Sequence, residues 1–286
     1  MVFNSMESAV FFNFLISIFV RQSTCKYSAK ILLKIVMKEK VILNWYESVD
    51  STVNVAARNM DTAPDMSVYV ADYQTQGRGQ RGNRWESCKA ENLTFTILMR
   101  PEFLKAQQQF VISEVSALSV AAYLKGKGVP VKIKWPNDIY AADKKICGML
   151  IEHTLCGANL SVSTSGIGIN INQKEFDSSL PNPTSLILET GEQTPYDRKR
   201  ELLSFLSIFC DYYGMARAGE YGRLEQEYLS CLYRKGEYFK YIDCRNSAEE
   251  TIEAKIIGID QCACLLLEKR DGSVDSYSFK EIKYII

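Results

Sequence analysis

The densest concentration of anion-binding groups in the sequence is Gly77-Arg78-Gly79-Gln80-Arg81-Gly82-Asn83-Arg84-Trp85. Glycine lets backbone amides approach an anion closely and permits positive φ. Arginine presents a planar, permanently charged fork that matches phosphate oxygens. Trp85 adds an aromatic face on which a base could stack. The segment has the parts of a loop that closes over a nucleotide phosphate; a solvated, cationic surface loop has the same composition. Its pattern also satisfies G-x-G-x-x-G, but dinucleotide binding requires a strand that leads straight into a helix. A strand does precede it, over Ser67–Ala71, yet Asn83–Asn92 is polar and turn-rich and the next element is another strand. That reading is therefore set aside. The P-loop pattern G-x4-G-K-[ST] does not occur.

Lys132-Ile133-Lys134-Trp135-Pro136-Asn137-Asp138-Ile139-Tyr140 reads as a strand that turns sharply, because proline removes a donor and restricts the residue before it. Asn137-Asp138 suits that turn. Lys134 sits at the strand end among bulky apolar neighbours, a point charge able to hold two anionic groups together; a snorkelling surface lysine is the plainer alternative. Lys145–Glu152 (KICGMLIE) and Gly166–Asn172 (GIGININ) are strands carrying glycines where side chains belong. Glycine weakens a strand unless a ligand or another backbone must come close, and tight strand packing would account for it equally well.

The elements that must position these residues are legible from periodicity. Asp50-Ser51-Thr52 reads as a helix N-cap followed by Val53–Met60, stopped by Pro64. Leu93–Met99 is strand-like. Phe110–Leu124 carries Phe110, Val111, Val115, Leu118 and Ala122 at helical spacing, ended by Gly126, Gly128 and Pro130. Val131–Lys134, Ile139–Ala141, Ile146–Glu152 and Leu160–Ser163 are short strands joined by tight turns, which predicts a mixed or mostly antiparallel sheet rather than βαβ repeats. Two helices follow, around Asp197–Ala218 and Tyr221–Tyr233. Gly236–Ile286 then changes to strand and turn throughout, with turn signals at Asp243–Asn246, Gly258–Asp260 and Asp271-Gly272, the last a two-residue hairpin signal.

Composition narrows the function classes. Lys+Arg and Asp+Glu are 34 each, a balance that gives no support for general nucleic-acid binding. The nine cysteines are odd in number and contain no CxxC, which argues against a disulfide framework or zinc site and for reduced thiols in the cytoplasm. The single histidine, His153, lies in a strand-like run and is given no catalytic role. Ala9–Val20 is nearly all apolar but too short to span a bilayer, and neither a positive n-region nor an A-x-A site accompanies it. Residues 1–36 are read as an N-terminal extension outside the fold, with Met37 as an alternative start. A chain begun at Met37 is expected to fold and keep full activity, checked by thermal denaturation and turnover; aggregation would make the extension part of the fold.

Taken in order, VDSTVNVA, GRGQRGNRW, KWPNDIY, KICGMLIE and GIGIN resemble the biotin–protein ligases, over Val49 to Asn172. The chain looks like the family's short form, with no helix-turn-helix domain before Val41. The resemblance implies an α+β fold: a class II aminoacyl-tRNA synthetase-like catalytic domain (37–234), with mixed sheet and flanking helices, and a small SH3-like β-barrel domain (235–286). It implies a ligase that activates biotin with ATP, accompanied by Mg2+, to biotinyl-5′-adenylate and transfers biotin to a lysine of a biotin carboxyl carrier domain. No DNA and no membrane are expected as partners, with homodimerisation an option. By the same resemblance, Lys134 and Arg78 are the catalytic candidates. Ser51, Thr52, Gln74, Gly77, Arg78, Lys134, Gly148 and Gly166 would hold biotin. Arg81, Arg84, Trp85, Lys134, Asn137 and Asn170 would hold the nucleotide, and no metal ligand is assigned.

Three positions depart from the family pattern. Val53 stands where many members carry Asn, Gln80 where some carry Arg, and Phe279-Lys280-Glu281-Ile282 has no arginine after it. An ATP contact from the C-terminal domain therefore does not carry over. A lipoate–protein ligase or octanoyltransferase shares the fold but lacks the GRGxRG and KWPND pair, and an inactive adenylate-binding regulator is the rival outside enzymology.

Overall fold

A computed structural model of the protein describes residues 41–246 and 249–286. The reading of residues 1–36 lies outside them. The strands are β1 (Ile42–Val49), β2 (Ser67–Gln74), β3 (Leu93–Met99), β4 (Val131–Lys134), β5 (Asp138–Ala141), β6 (Lys144–Cys156) and β7 (Asn159–Ile169). They form a seven-stranded sheet in the order β1-β2-β3-β7-β6-β5-β4. Only the β1–β2 pair is parallel; every other neighbour is antiparallel. The sheet is thus mixed, as the run of adjacent strands predicts. Helices α1 (Thr52–Arg58), α2 (Phe110–Gly126), α3 (Leu186–Thr190), α4 (Arg198–Arg217) and α5 (Tyr221–Ser230) flank it.

Strand alternation decides what each face does. In β3, Leu93, Phe95 and Ile97 are buried with α2 and α4 in one core that includes Val115, Leu118, Phe205 and Phe209. Their neighbours Thr94 and Thr96 point to the opposite face, where Val55 and Ala56 of α1 pack with Tyr69, Leu98 and Val162. α2 is apolar nearly all round, with twelve of its seventeen residues buried, as expected for a helix covered on several sides. Asp197 caps α4 by accepting from the Lys199 and Arg200 N–H groups.

The C-terminal residues form a second, antiparallel sheet, β11-β10-β9-β8-β12, from β8 (Tyr238–Asp243), β9 (Glu250–Ile259), β10 (Leu265–Lys269), β11 (Val274–Tyr277) and β12 (Ile282–Tyr284). Two turns differ from expectation. β9 runs to Ile259, and the turn is built on the Asp260 carboxylate, which accepts from the Cys262 and Cys264 N–H groups. At Asp271-Gly272 the Lys269 N–H pairs with Ser273 O, so the loop has three residues, with Gly272 left-handed at φ +83°. A glycine there completes a three-residue hairpin as readily as a two-residue one. The two sheets meet through Trp135, whose indole N–H donates to Ala263 O at 3.1 Å and whose ring lies against Phe279.

Candidate active site

One register line of the large sheet builds the floor of a cavity of about 230 Å³. Thr94 pairs with Gly168, Gly168 with Gly148, Gly148 with Asp138, and Asp138 with Lys134. Residues directly opposite in antiparallel strands point to the same face, and all five line the cavity. The two glycines lie side by side in the middle, so the floor is a trough with a threonine at one end and a carboxylate and an ammonium at the other.

The Trp85 indole lies in this trough. A Cβ at Gly168 would come within 2.3 Å of its Cε2, and one at Gly148 within 2.9 Å of its Cζ3. Trp85 Nε1 is buried without a hydrogen-bond partner. The Gly77–Trp85 loop holds the ring there as a small hairpin: Trp85 N–H donates to Gly77 O, Gly79 N–H to Asn83 O, and Gln80–Gly82 is a single 3-10 turn. No α-helix follows it, in keeping with the rejected dinucleotide reading. At Gly77 a Cβ would fall 2.2 Å from Trp85 O, so this glycine is required where the two arms of the loop cross. It lines the grooves beside the cavity rather than the cavity itself.

Arg78 lines the cavity rim and latches the loop to β6, with Nη2 2.7 Å from Glu152 Oε1 and Nη1 3.2 Å from Asn54 Oδ1. Arg84 lines the same cavity. The Arg81 side chain lies outside the described atoms. The latch is exposed, both partners being about 40% accessible, so it contributes little to stability and can open cheaply. Tryptic cleavage at these arginines is accordingly expected to slow when biotin and ATP are both added. Equal cleavage rates would remove ligand-linked closure.

The other end of the cavity is polar and uncharged. Ser51 has N-cap backbone angles, yet its hydroxyl makes no capping bond. Gln74 Oε1 instead satisfies a different first-turn donor, accepting from the Thr52 N–H at 2.8 Å and the Thr52 hydroxyl at 3.1 Å, while Thr96 donates to Thr52 at 2.9 Å. Ser51 Oγ is left buried and unpartnered on the cavity wall. An unsatisfied buried hydroxyl costs free energy unless a ligand pairs with it. Val53 fills the space over Gly166, where a Cβ would lie 2.5 Å from Val53 Cγ2.

Lys134 carries the charge at the far end. Its Nζ sits 5.3 Å from the Tyr140 ring centroid and 4.7 Å from that of Tyr284. Burial pulls its pKa below the ordinary 10.5; Asp138 opposes this, and Lys145 and Arg234 add to it. The carboxylate of Asp138 is itself engaged by Lys145 at 2.8 Å. Asn137 and Asn170 face inward instead. The Asn137 amide donates to Met149 O, bracing the turn after Lys134, and the Asn170 amide donates to Thr184 O at 2.8 Å. Asn137 still touches the cavity, whereas Asn170 is not among the residues lining it. His153 bonds Ser163 on the neighbouring strand.

Residue types and spacing gave no site role to Thr94, Asp138, Lys145, Glu152, Phe279 or Tyr284, although Asp138, Lys145 and Glu152 lie in segments they singled out. Thr94 and Asp138 enter by strand register, Phe279 and Tyr284 from the second sheet. Among the described residues no group of three or more His, Cys, Asp or Glu could hold a metal ion, and no helix is long and apolar enough to cross a membrane.

Comparison with known proteins agrees with this geometry. Residues 45–170 match the family model described as biotin/lipoate A/B protein ligase family. The chain is 28% identical to the bifunctional ligase/repressor BirA of Bacillus spizizenii over 239 residues, covering 82% of this chain and 71% of that protein. It is 27% identical to the biotin–[acetyl-CoA-carboxylase] ligase of Paracoccus denitrificans, covering 77% of this chain and 93% of that one. Among solved structures, biotin protein ligase from Aquifex aeolicus in complex with biotin and ATP superposes with a TM-score of 0.68 at 29% identity, over 85% of this chain and 99% of that chain. Sequence and fold point the same way: residues 45–170 match the biotin/lipoate A/B protein ligase family, and over most of its length the chain is similar to biotin–protein ligases.

Proposed function

We infer that this protein activates biotin with ATP and transfers it to a lysine of a biotin carboxyl carrier domain. The observation that carries the reading is the cavity's polarity: an unpartnered hydroxyl beside Thr52 and Gln74 at one end, a glycine trough under Trp85, and Lys134 at the other end. The uncharged end suits a ureido ring, and the cationic end suits a carboxylate meeting a phosphate. In the first step a biotin carboxylate oxygen bonds to the α-phosphorus and the bond to the β-phosphate oxygen breaks, releasing pyrophosphate. In the second, the acceptor amine attacks the acyl carbon, AMP leaves and the amine loses a proton. Both reactants of the first step are anions, so positioning and charge neutralisation supply most of the acceleration. Arg78 closes the rim, and Arg84 and Arg81 stand on the loop that would face the phosphates. Asp138 is committed to Lys145, so the magnesium accompanying ATP is read as carried in by the nucleotide's own phosphates.

The domain division at 37–234 and 235–286, and the class II synthetase-like and SH3-like descriptions of the two sheets, belong to the same proposal, as does a cytoplasmic location. The mixed sheet with helices and the separate antiparallel sheet support the former; the eight free cysteines among the described residues accord with the latter. The test is incubation with ATP, magnesium, biotin and a purified carrier domain, read by streptavidin blot, with lipoate and octanoate in parallel reactions read by the mass added to the carrier domain. Biotin-dependent labelling is expected. Labelling with lipoate or octanoate alone would make it a lipoate ligase or octanoyltransferase. Adenylate formed without transfer would make it a regulator.

A further inference from the structure

We propose that Tyr284, from the C-terminal sheet, is a positioning residue for Lys134: its ring face holds the ammonium at the reacting end of the cavity. This rests on the reading of Lys134 as the cation of the adenylation step. Lys134 ends β4 without a carboxylate of its own, because Asp138, its cross-strand partner, is ion-paired with Lys145. A half-buried ammonium then needs another source of stabilisation. The two aromatic faces supply it, Tyr284 at 4.7 Å and Tyr140 at 5.3 Å from Nζ to centroid, both within the range of a cation–π contact.

The placement of Tyr284 is itself well determined. β12 sets it opposite Tyr241 in the second sheet, and its ring packs edge-on against Tyr241 at 5.2 Å and obliquely against Tyr233 at 6.1 Å. Its hydroxyl is buried with no hydrogen-bond partner. With its hydroxyl bonding nothing, Tyr284 meets Lys134 through its ring face alone. The second sheet thereby reaches the adenylation centre through an aromatic ring, and the arginine missing after Phe279-Lys280-Glu281-Ile282 is not needed for this contact.

The experiment is biotin-dependent pyrophosphate exchange on full-length variants. Tyr284→Phe is expected to stay within about twofold of the parent, and Tyr284→Leu to lose about tenfold in kcat, the scale of one desolvated cation–π contact, with KM for biotin little changed. Replacing position 284 with phenylalanines of increasing fluorination keeps the shape while draining the ring face of negative charge, so the rate should fall stepwise along the series. This series keeps the question open to refutation even where Tyr284→Leu fails to fold. A flat fluorination series overturns the proposal. In a Lys134→Ala background Tyr284→Leu should add no further loss; an undiminished tenfold loss there also overturns it. Lys134→Ala with normal exchange defeats the reading of Lys134 itself, whereas a severe Lys134→Ala defect beside a flat series defeats only the role of Tyr284.

Discussion

Replacing Lys134 with alanine is expected to slow biotinyl-5′-adenylate formation ~10²–10³-fold, equivalent to about 3–4 kcal/mol in the barrier. The charge acts where repulsion between a carboxylate and a polyphosphate is greatest, in a cavity lined by Trp85, Trp135 and Phe279, whose apolar walls weaken screening by water. Its benefit is largest as the pentacoordinate phosphorus gathers charge, so kcat should fall far more than biotin affinity. Lys134→Arg should rescue poorly: a guanidinium spreads its charge over a planar fork and does not place a compact point charge where the lysine Nζ sits. The pH dependence has a definite sign. Burial holds the Lys134 pKa below 10.5, so the charged form, and with it the adenylation rate, should be lost on the alkaline side before an ordinary lysine titrates. The measurements are pyrophosphate exchange across pH and biotin calorimetry on Lys134→Ala. Near-normal exchange would pass the role to Arg81 or Arg84.

The second large effect is expected from one methyl group. Gly168→Ala places a Cβ 2.3–2.6 Å from Cε2, Cζ2 and Nε1 of Trp85, atoms of a rigid ring pressed on backbone. The indole must leave the trough, and overpacking of this kind costs about 1–3 kcal/mol. KM for ATP should rise roughly tenfold or more, since each ~1.4 kcal/mol of lost binding is a factor of ten. Gly148→Ala should be milder. Its contact with the ring is 2.9 Å, and its other close neighbour is the flexible end of Lys145 at 3.1 Å. Tryptophan fluorescence would report the displaced indole alongside the kinetics. A Gly168→Ala enzyme with unaltered KM and emission would show that Trp85 does not need the trough.

Much of this was written locally in the chain. The 3.6 periodicity of Phe110–Leu124 marks α2, Pro136 ends β4 where the turn begins, and Asp197 caps α4 as its residue type suggests. The change to strand and turn after Gly236 marks the second sheet. These are short-range effects: side-chain period, ring constraint and cap chemistry act over a few residues. Where the local signal gave the wrong length, as at Asp271-Gly272, the three-residue loop was set by pairing across β10 and β11.

Residue types and spacing thus singled out the segments that come together around the cavity: the Gly77–Trp85 loop, Lys134 at the end of β4, and the glycines of β6 and β7. The sequence by itself could not determine what those glycines accommodate. That follows from β6 and β7 being neighbours in register, which sets Gly148 against Gly168 and makes room for Trp85. Nor could it show that the Ser51 hydroxyl caps nothing while Gln74 takes the Thr52 N–H, or that Asn170 turns away to Thr184. Phe279 and Tyr284 approach Trp135 and Lys134 across more than a hundred residues of chain. Contacts at that separation arise from packing two sheets together, and only the tertiary structure decides which ring comes to rest against which charge.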